Sequence, residues 1–292
     1  MIAVMGAAGR VGGQVADLLL DEGQDLRVLE RARPLDELAA RGAKVIHGGA
    51  ADVDNLEALF DGTDAALVLL PDDVGEERFV ALRSRIAGSI ADALRRRPVA
   101  HVVMLSTLGV DRPDVPGIPA GLRELEQRLF ELEDVNVLAL RSASYMDYLL
   151  MNVPLIRSQG INGSALDGDL PIPMIATRDV ASEAAERLVR RDFTGHATKV
   201  LLGPEDVTMR EATTAMGRRL GLPDVAYVQF PPDDLKGALM GSGMSDEAAS
   251  MLVEMQLGAN EGRFAAGVER TPENTRPTRL DEFLDEALAA DA

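Results

Sequence analysis

The chain has 292 residues, 46% of them hydrophobic, with 30 Lys plus Arg against 48 Asp plus Glu and a net charge of -18. That length and apolar content can bury a substantial core in one large domain or two tightly joined ones, and the negative field repels nucleic-acid phosphates and anionic membranes, so neither is an expected partner. Cysteine is absent, which removes disulfides, thiolate metal sites and a cysteine nucleophile and fits a cytoplasmic location; His47, His101 and His196 are too scattered for a metal-ligand spacing.

An apolar strand at residues 2–5 runs into Gly6-Ala7-Ala8-Gly9-Arg10-Val11-Gly12 and then an amphipathic helix over residues 14–22. Strand, glycine turn and helix in this order form the fingerprint of a dinucleotide site. Gly6 supplies the tight turn, Gly9 lets the main chain approach a pyrophosphate, and Gly12 lets the helix pack on the strand. The phosphates would sit at the helix N-terminus, where open N–H groups and the helix dipole favour negative charge. Gly6, Ala8, Gly9, Arg10, Val11 and Gly12 are therefore the candidate pyrophosphate-binding residues; the competing reading is an ordinary strand-to-helix turn. The front of the sequence, with its strand and turn, is unlike a secretory leader. The longest apolar runs, such as residues 65–70, are strand-length and far short of a membrane span.

Further along, the pattern predicts a strand at residues 26–30, a short helix at 35–41 and a strand at 43–47. Asp52 caps a helix that runs through Phe60, because a short carboxylate can bond the open N–H groups of a helix start. A strand at 64–70 stops at Pro71, a long helix covers 76–96, and a strand at 99–106, a helix at 119–133 and a strand at 135–140 follow. Strands alternating with helices on this spacing predict a doubly wound α/β Rossmann fold, a parallel sheet covered on both faces. Past Tyr145 the pattern changes: a helical stretch ends near Gly160, a glycine- and proline-rich loop covers 160–173, and a helix at 178–191 and a strand at 198–202 follow. Thr208 and Glu211 have capping-box spacing and open a helix to about Leu220, and the remainder reads as mostly helical to Ala287. The expected organisation is a Rossmann domain over residues 1–150, completed by 176–202, with a smaller, mostly helical substrate part made of 151–175 and 203–292.

The chain resembles the NmrA-like branch of atypical short-chain dehydrogenase/reductase proteins. The resemblance rests on the Gly6 to Gly12 turn, Arg27-Val-Leu-Glu-Arg31, Asp64-Ala-Ala-Leu-Val-Leu-Leu-Pro71, Val102-Val-Met-Leu-Ser-Thr107, Arg141 followed by Tyr145-Met146, Arg178-Asp179-Val180-Ala181, and Gly203-Pro204-Glu205 before a capped helix. It implies a Rossmann fold with a small C-terminal substrate domain and a cleft between them. It also implies NAD(P) at the glycine turn, with Leu70, Pro71, Ser106 and Thr107 along the cofactor. Two departures stand out. The Asp that family members often carry after the third strand is replaced at Gly49 or Ala50, and the usual Arg-Pro-Gly-x-Phe-Met-Glu-Asn segment reads Arg141-Ser-Ala-Ser-Tyr145-Met146-Asp147-Tyr148.

Glu30 stands where a carboxylate would accept the ribose hydroxyls of NAD and repel a 2′-phosphate. Arg31, Arg33 and Arg10 oppose it, and in the family the arginine at the Arg31 position commonly meets the 2′-phosphate. Three guanidinium groups against one carboxylate favour NADP(H) over NAD(H). For chemistry, the wider family's Tyr-x-x-x-Lys pair is missing: the lysines are Lys44, Lys199 and Lys236, and where the family often carries a lysine before Glu126 this chain has Leu122 and Arg123. Tyr145 and Ser106 remain as candidate catalytic residues, the phenol as acid and the hydroxyl as donor to a substrate carbonyl. Tyr145, Met146 and Tyr148 are the candidate substrate residues, with packing as the alternative for Met146 and Tyr148. A run of methionines at Met240, Met244, Met251 and Met255 reads as core filler or as an apolar lid. No metal is expected. The sequence points to an NAD(P)H-dependent oxidoreductase reducing a small-molecule quinone, enone or ketone. The alternatives are a non-catalytic NAD(P)-sensing regulatory protein and a cofactor-bound non-redox enzyme; oligomeric state is left open.

Overall fold

The computed structural model describes residues 1–31, 33–265 and 267–289. Its first elements are β1 (Ile2–Met5), α1 (Arg10–Asp21), β2 (Leu26–Glu30), α2 (Asp36–Ala40), β3 (Lys44–His47), α3 (Val53–Phe60), β4 (Ala65–Val68) and α4 (Phe79–Arg96). They continue with β5 (His101–Thr107), α5 (Pro119–Phe130), β6 (Asn136–Ser142), β7 (Ser144–Tyr145), a 3-10 turn at Met146–Asn152 and α6 (Val153–Gln159). Then come β8 (Ile161–Ser164), β9 (Ile172–Ile175), α7 (Thr177–Arg190), β10 (His196–Leu201), β11 (Asp206–Val207) and α8 (Met209–Arg219). The last are β12 (Ala226–Gln229), α9 (Pro232–Gly241), α10 (Asp246–Asn260) and α11 (Leu280–Ala289).

The chain forms two compact units, and the first comprises Met1–Thr107, Ala120–Arg141 and Val180–Lys199. Its basis is a seven-stranded sheet in the order β10-β6-β5-β4-β1-β2-β3, with parallel registers such as Val4 opposite Val28 and Ala3 opposite Ala66. Every residue of β1 and β4 is buried, so these strands read as continuous apolar runs rather than alternating ones. On one face Leu56, Leu59 and Phe60 of α3, Ile90 and Leu94 of α4, and Leu125 and Leu129 of α5 pack on Ala66, Val68, Val102 and Met104. Each such side chain contributes about 1.5–3 kcal/mol on burial. Asp52 caps α3 as expected, accepting the Asp54 amide at 3.0 Å. Two helix starts differ from expectation. α1 begins at Arg10, so Gly12 lies within the helix, and α4 begins at Phe79 because Arg78 is non-helical, leaving residues 71–78 as a loop.

The second unit comprises Leu108–Pro119, Ser142–Asp179 and Val200–Ala292. Its core joins Met146, Leu149, Val153 and Ile156 to Met209 and Met216 of α8 and to Leu280, Phe283, Leu284 and Leu288 of α11. The predicted capping box is present: Thr208 Oγ1 accepts the Glu211 amide at 3.1 Å and the Thr208 amide donates to Glu211 at 2.9 Å. Residues 160–173, expected as a loop, instead hold β8 and lead to β9. β8 pairs in parallel with β12, which the mostly helical expectation for the C-terminal part had also passed over. Asn162 and Gly163 look like turn residues. They belong to a strand because Asn162 is fully buried, bonding Thr213 at 2.9 Å and Asn152 at 2.7 Å, while Phe230 lies where a Gly163 side chain would project. The methionine run is not core filler: Met240 is exposed and Met244, Met251 and Met255 are only half-buried.

Candidate functional site

In the sheet, β2 and β3 extend from one side of β1, and β4 and β5 from the other. Ligands of open α/β sheets bind at such a reversal, beyond the carboxyl ends of the strands. Here those ends carry Gly6 after β1 and Leu69-Leu70-Pro71 after β4. Gly6 has φ of +69°, and a Cβ there would lie 2.7 Å from Leu69 Cδ2. The Gly9 amide donates to the Gly6 carbonyl at 2.8 Å and closes the turn. Gly9 is the N-cap of α1, with no side-chain cap and no acidic residue in the first turn. The amides of Val11 and Gly12 have no intrahelical acceptor there, which leaves them oriented for an anion. A Cβ on Gly12 would meet the Gly6 carbonyl oxygen at 2.3 Å and the Met5 oxygen at 2.8 Å, so helix and strand touch backbone to backbone. A dinucleotide's pyrophosphate fits this cradle of bare backbone.

Around the end of β2 the charged residues are engaged with one another. Glu30 Oε1 accepts the Arg33 amide at 3.0 Å, and the Arg33 guanidinium donates to the Ala8 carbonyl at 3.1 Å, joining this segment to the glycine turn. Arg31 pairs with Asp73 at 2.9 Å, across to the loop after β4, while Arg10 is exposed. A Cβ on Gly49, where relatives often carry Asp, would lie 3.6 Å from Arg31 Cδ. Arg27, also in β2, is structural: it donates to the Ala58, Leu59 and Asp61 carbonyls at the end of α3.

At the end of β5, Ser106 is 3% exposed and donates to Glu126 Oε2 at 2.9 Å. Glu126, on α5 and itself buried, pairs with Arg141 of β6. The Ser106 hydroxyl proton is thus directed inward to a carboxylate, whereas Thr107 next to it is half-buried. His101, at the start of β5, meets Phe193 edge-on with centroids 5.2 Å apart, and burial holds its imidazole below the usual range, in keeping with a structural role.

Sequence reasoning passed over Asp72, Asp73 and Arg83. Arg83 of α4, with a side chain 3% exposed, pairs with Asp72, lies 5.2 Å from the Phe79 ring centroid and occupies the space a side chain at Gly121 would need. The signal was the pair of carboxylates directly after Pro71, an arrangement a simple loop does not require.

Within the second unit, the Tyr145 and Tyr148 rings stack with centroids 5.6 Å apart. The Ser142 hydroxyl donates to the Tyr145 oxygen at 3.2 Å. Burial pushes the Tyr145 phenol above its ordinary range; the Ser142 bond pulls it down, and the nearby Asp147 carboxylate adds to the rise. Asp147 is committed to the start of α7, accepting the Thr177 amide at 3.1 Å and hydroxyl at 2.8 Å. Tyr148 is 48% exposed and Met151 59%, so packing does not account for Tyr148. Met146, expected at the substrate site with packing as the alternative, is corrected: it is wholly buried in one core with Leu149, Met174 and Met216. Among the described residues no cluster of ligating side chains could hold a metal, and no helix is long and apolar enough to cross a membrane.

The sequence matches the family described as NAD(P)H-binding over residues 6–189. It is 32% identical to the (4-alkanoyl-5-oxo-2,5-dihydrofuran-3-yl)methyl phosphate reductase of Streptomyces griseus subsp. griseus, covering 96% of this chain and 95% of the relative. Among solved structures, it resembles an NADPH-dependent quinone oxidoreductase from Escherichia coli complexed with NADPH. The TM-score is 0.81 at 22% identity, covering 99% of this chain and 100% of the other. NmrA, a negative transcriptional regulator in complex with NADP, gives a TM-score of 0.69 at 18% identity over 99% of this chain and 90% of that one. The chain belongs to the NAD(P)H-binding family.

Proposed function

We propose that the protein is an NADPH-dependent reductase of a small conjugated carbonyl compound, with a quinone or enone as the acceptor. The bare-backbone cradle from Gly6 to Gly12 carries this reading, supported by the activity in the name of the Streptomyces griseus relative and the NADPH complex of the Escherichia coli structure. Gly6, Ala8, Gly9, Val11 and Gly12 hold the pyrophosphate through main-chain amides. Arg31, with Arg10 at the same end, takes the 2′-phosphate. Arg33 supports the turn through Ala8, and Glu30 is drawn to the Arg33 amide, which reduces the argument for NAD. Leu70, Pro71 and Thr107 border the nicotinamide, and Ser106 keeps the end of β5 in place through Glu126.

When bound, the cofactor supplies hydride. The residues of this chain have then to orient the acceptor and to deliver or admit one proton. A phenol raised by burial stays protonated across neutral pH but is a weak acid. That suits an acceptor whose reduced form is itself a stabilised phenolate or enolate. Tyr145 and Tyr148 offer the stacked, partly exposed surface on which a planar acceptor would lie. The test is the reduced-nicotinamide absorbance of NADPH with purified protein and a panel of quinones, enones and cyclic ketones. Oxidation with quinones or enones is expected, whereas binding of NADPH without oxidation by any acceptor refutes the reductase and favours a sensor.

A further inference from the structure

The loop between β4 and α4 carries two successive carboxylates that go to two different cations. Asp72, itself 42% exposed, pairs with Arg83, whose side chain is 3% exposed, and Asp73 pairs with Arg31 at 2.9 Å, with side-chain exposures of 37% and 64%. The two ends of the loop are therefore unequal. The buried guanidinium of Arg83 resists losing Asp72, because that strands an unsolvated charge. An exposed pair costs little to exchange. Arg33 is tied to the Ala8 carbonyl, whereas the guanidinium of Arg31 is held by a carboxylate on the loop.

We propose that Asp73 sets the preference between the two dinucleotides, by occupying the guanidinium of Arg31 that a 2′-phosphate would take. The inference rests on the reading that Arg31 meets that phosphate. NADH leaves the Arg31–Asp73 pair intact. NADPH displaces Asp73, gaining a doubly charged partner for Arg31 and losing the ion pair, and the displaced carboxylate stays close to the phosphate because Asp72 remains held by Arg83. Both the lost pair and the residual repulsion fall on NADPH alone. Asp73 thus narrows a preference for NADPH that the arginines would otherwise make wide, and a carboxylate directly after Pro-Asp is the residue that controls it.

Calorimetric titration of NADPH and NADH into wild type, Asp73→Asn, Asp73→Glu, Arg31→Ala and the Arg31→Ala/Asp73→Asn double variant tests this. Asp73→Asn is expected to bind NADPH about fivefold more tightly, the upper range for an exposed pair, with NADH unchanged. Asp73→Glu, which keeps the charge, should retain the wild-type ratio. In the Arg31→Ala background the same Asn substitution should give a clearly smaller gain, the part due to repulsion alone. Asp73→Ser serves as a second neutral variant should Asn not fold. Unchanged NADPH affinity, equal tightening of both cofactors, or a gain just as large without Arg31 would each overturn the proposal. Failure of the wild type to bind either dinucleotide would overturn the cofactor reading beneath it. The assay needs no turnover, so the absence of reductase activity leaves its result intact.

Discussion

Gly12→Ala adds one methyl group where α1 meets the turn. Its Cβ would lie 2.3 Å from the Gly6 oxygen, 2.6 Å from the Gly6 carbonyl carbon and 2.8 Å from the Met5 oxygen, where real Cβ contacts essentially never fall below 3.0 Å. Relief requires a shift of at least 0.7 Å (3.0 − 2.3), and every obstacle is main chain, which no rotamer change can move. Overpacking costs about 1–3 kcal/mol, with the upper end appropriate here, against a gain of about 1 kcal/mol from replacing glycine by alanine in a helix. The net expectation is a loss of about 2 kcal/mol (3 − 1), read by urea unfolding followed by circular dichroism, together with weakened NADPH binding as the first-turn amides move. Gly88→Ala is the internal control. It lies within α4, nothing stands within 4 Å of its would-be Cβ, and it should gain about 1 kcal/mol. A Gly12→Ala protein as stable as wild type would refute the backbone-contact argument.

Arg31→Ala should weaken NADPH by about 1.5–3 kcal/mol, the value of a charge-assisted hydrogen bond, with NADH hardly affected; equal loss for both would move the 2′-phosphate site elsewhere. Tyr145→Phe should change quinone turnover by less than about tenfold, because a phenol raised by burial is a poor acid, and a loss of roughly 100-fold would instead establish acid catalysis. Since that phenol stays protonated to above its usual value of about 10, it should produce no alkaline fall in kcat/KM below that pH. Thr208→Ala should cost about 1 kcal/mol of stability at neutral pH through loss of the α8 cap. Glu211 in that cap is held below its ordinary range by the Thr208 amide and hydroxyl, so its stabilisation is complete above its unfolded value and disappears as pH falls through the lower folded one. The destabilisation measured for Glu211→Gln should therefore shrink in acid.

The parts of the protein legible in the sequence are those fixed by local chemistry. The glycine turn, the Asp52 cap, the Thr208 and Glu211 box and the buried strands each declare themselves within a dozen residues. β8 did not, because Ile161-Asn-Gly-Ser becomes a strand only against β12 and the polar groups of Thr213 and Asn152. The same limit applies to the site. Arg31 was recognisable from its place after β2, but its partner Asp73 lies 42 residues on, and the Ser106–Glu126–Arg141 chain joins three elements. Met146 misled because its neighbour Tyr145 matched a substrate segment. The 3-10 turn placed Met146, Asp147 and Leu149 inward and left Tyr148 and Met151 outward.

The discontinuous core of the second unit has a consequence for synthesis of the protein. Met146 is translated early, but its apolar partners Leu280, Phe283, Leu284 and Leu288 come 134 residues later (280 − 146). At roughly 5–20 residues per second this leaves about 7–27 s in which that cluster lacks the cover of α11. α11 acts as the closing stave, and a nascent chain stopped short of it displays a greasy face to chaperones and proteases. No contiguous fragment encodes either unit, since each is interrupted by the other. A ribosome must therefore pass Leu280 before the second unit can close.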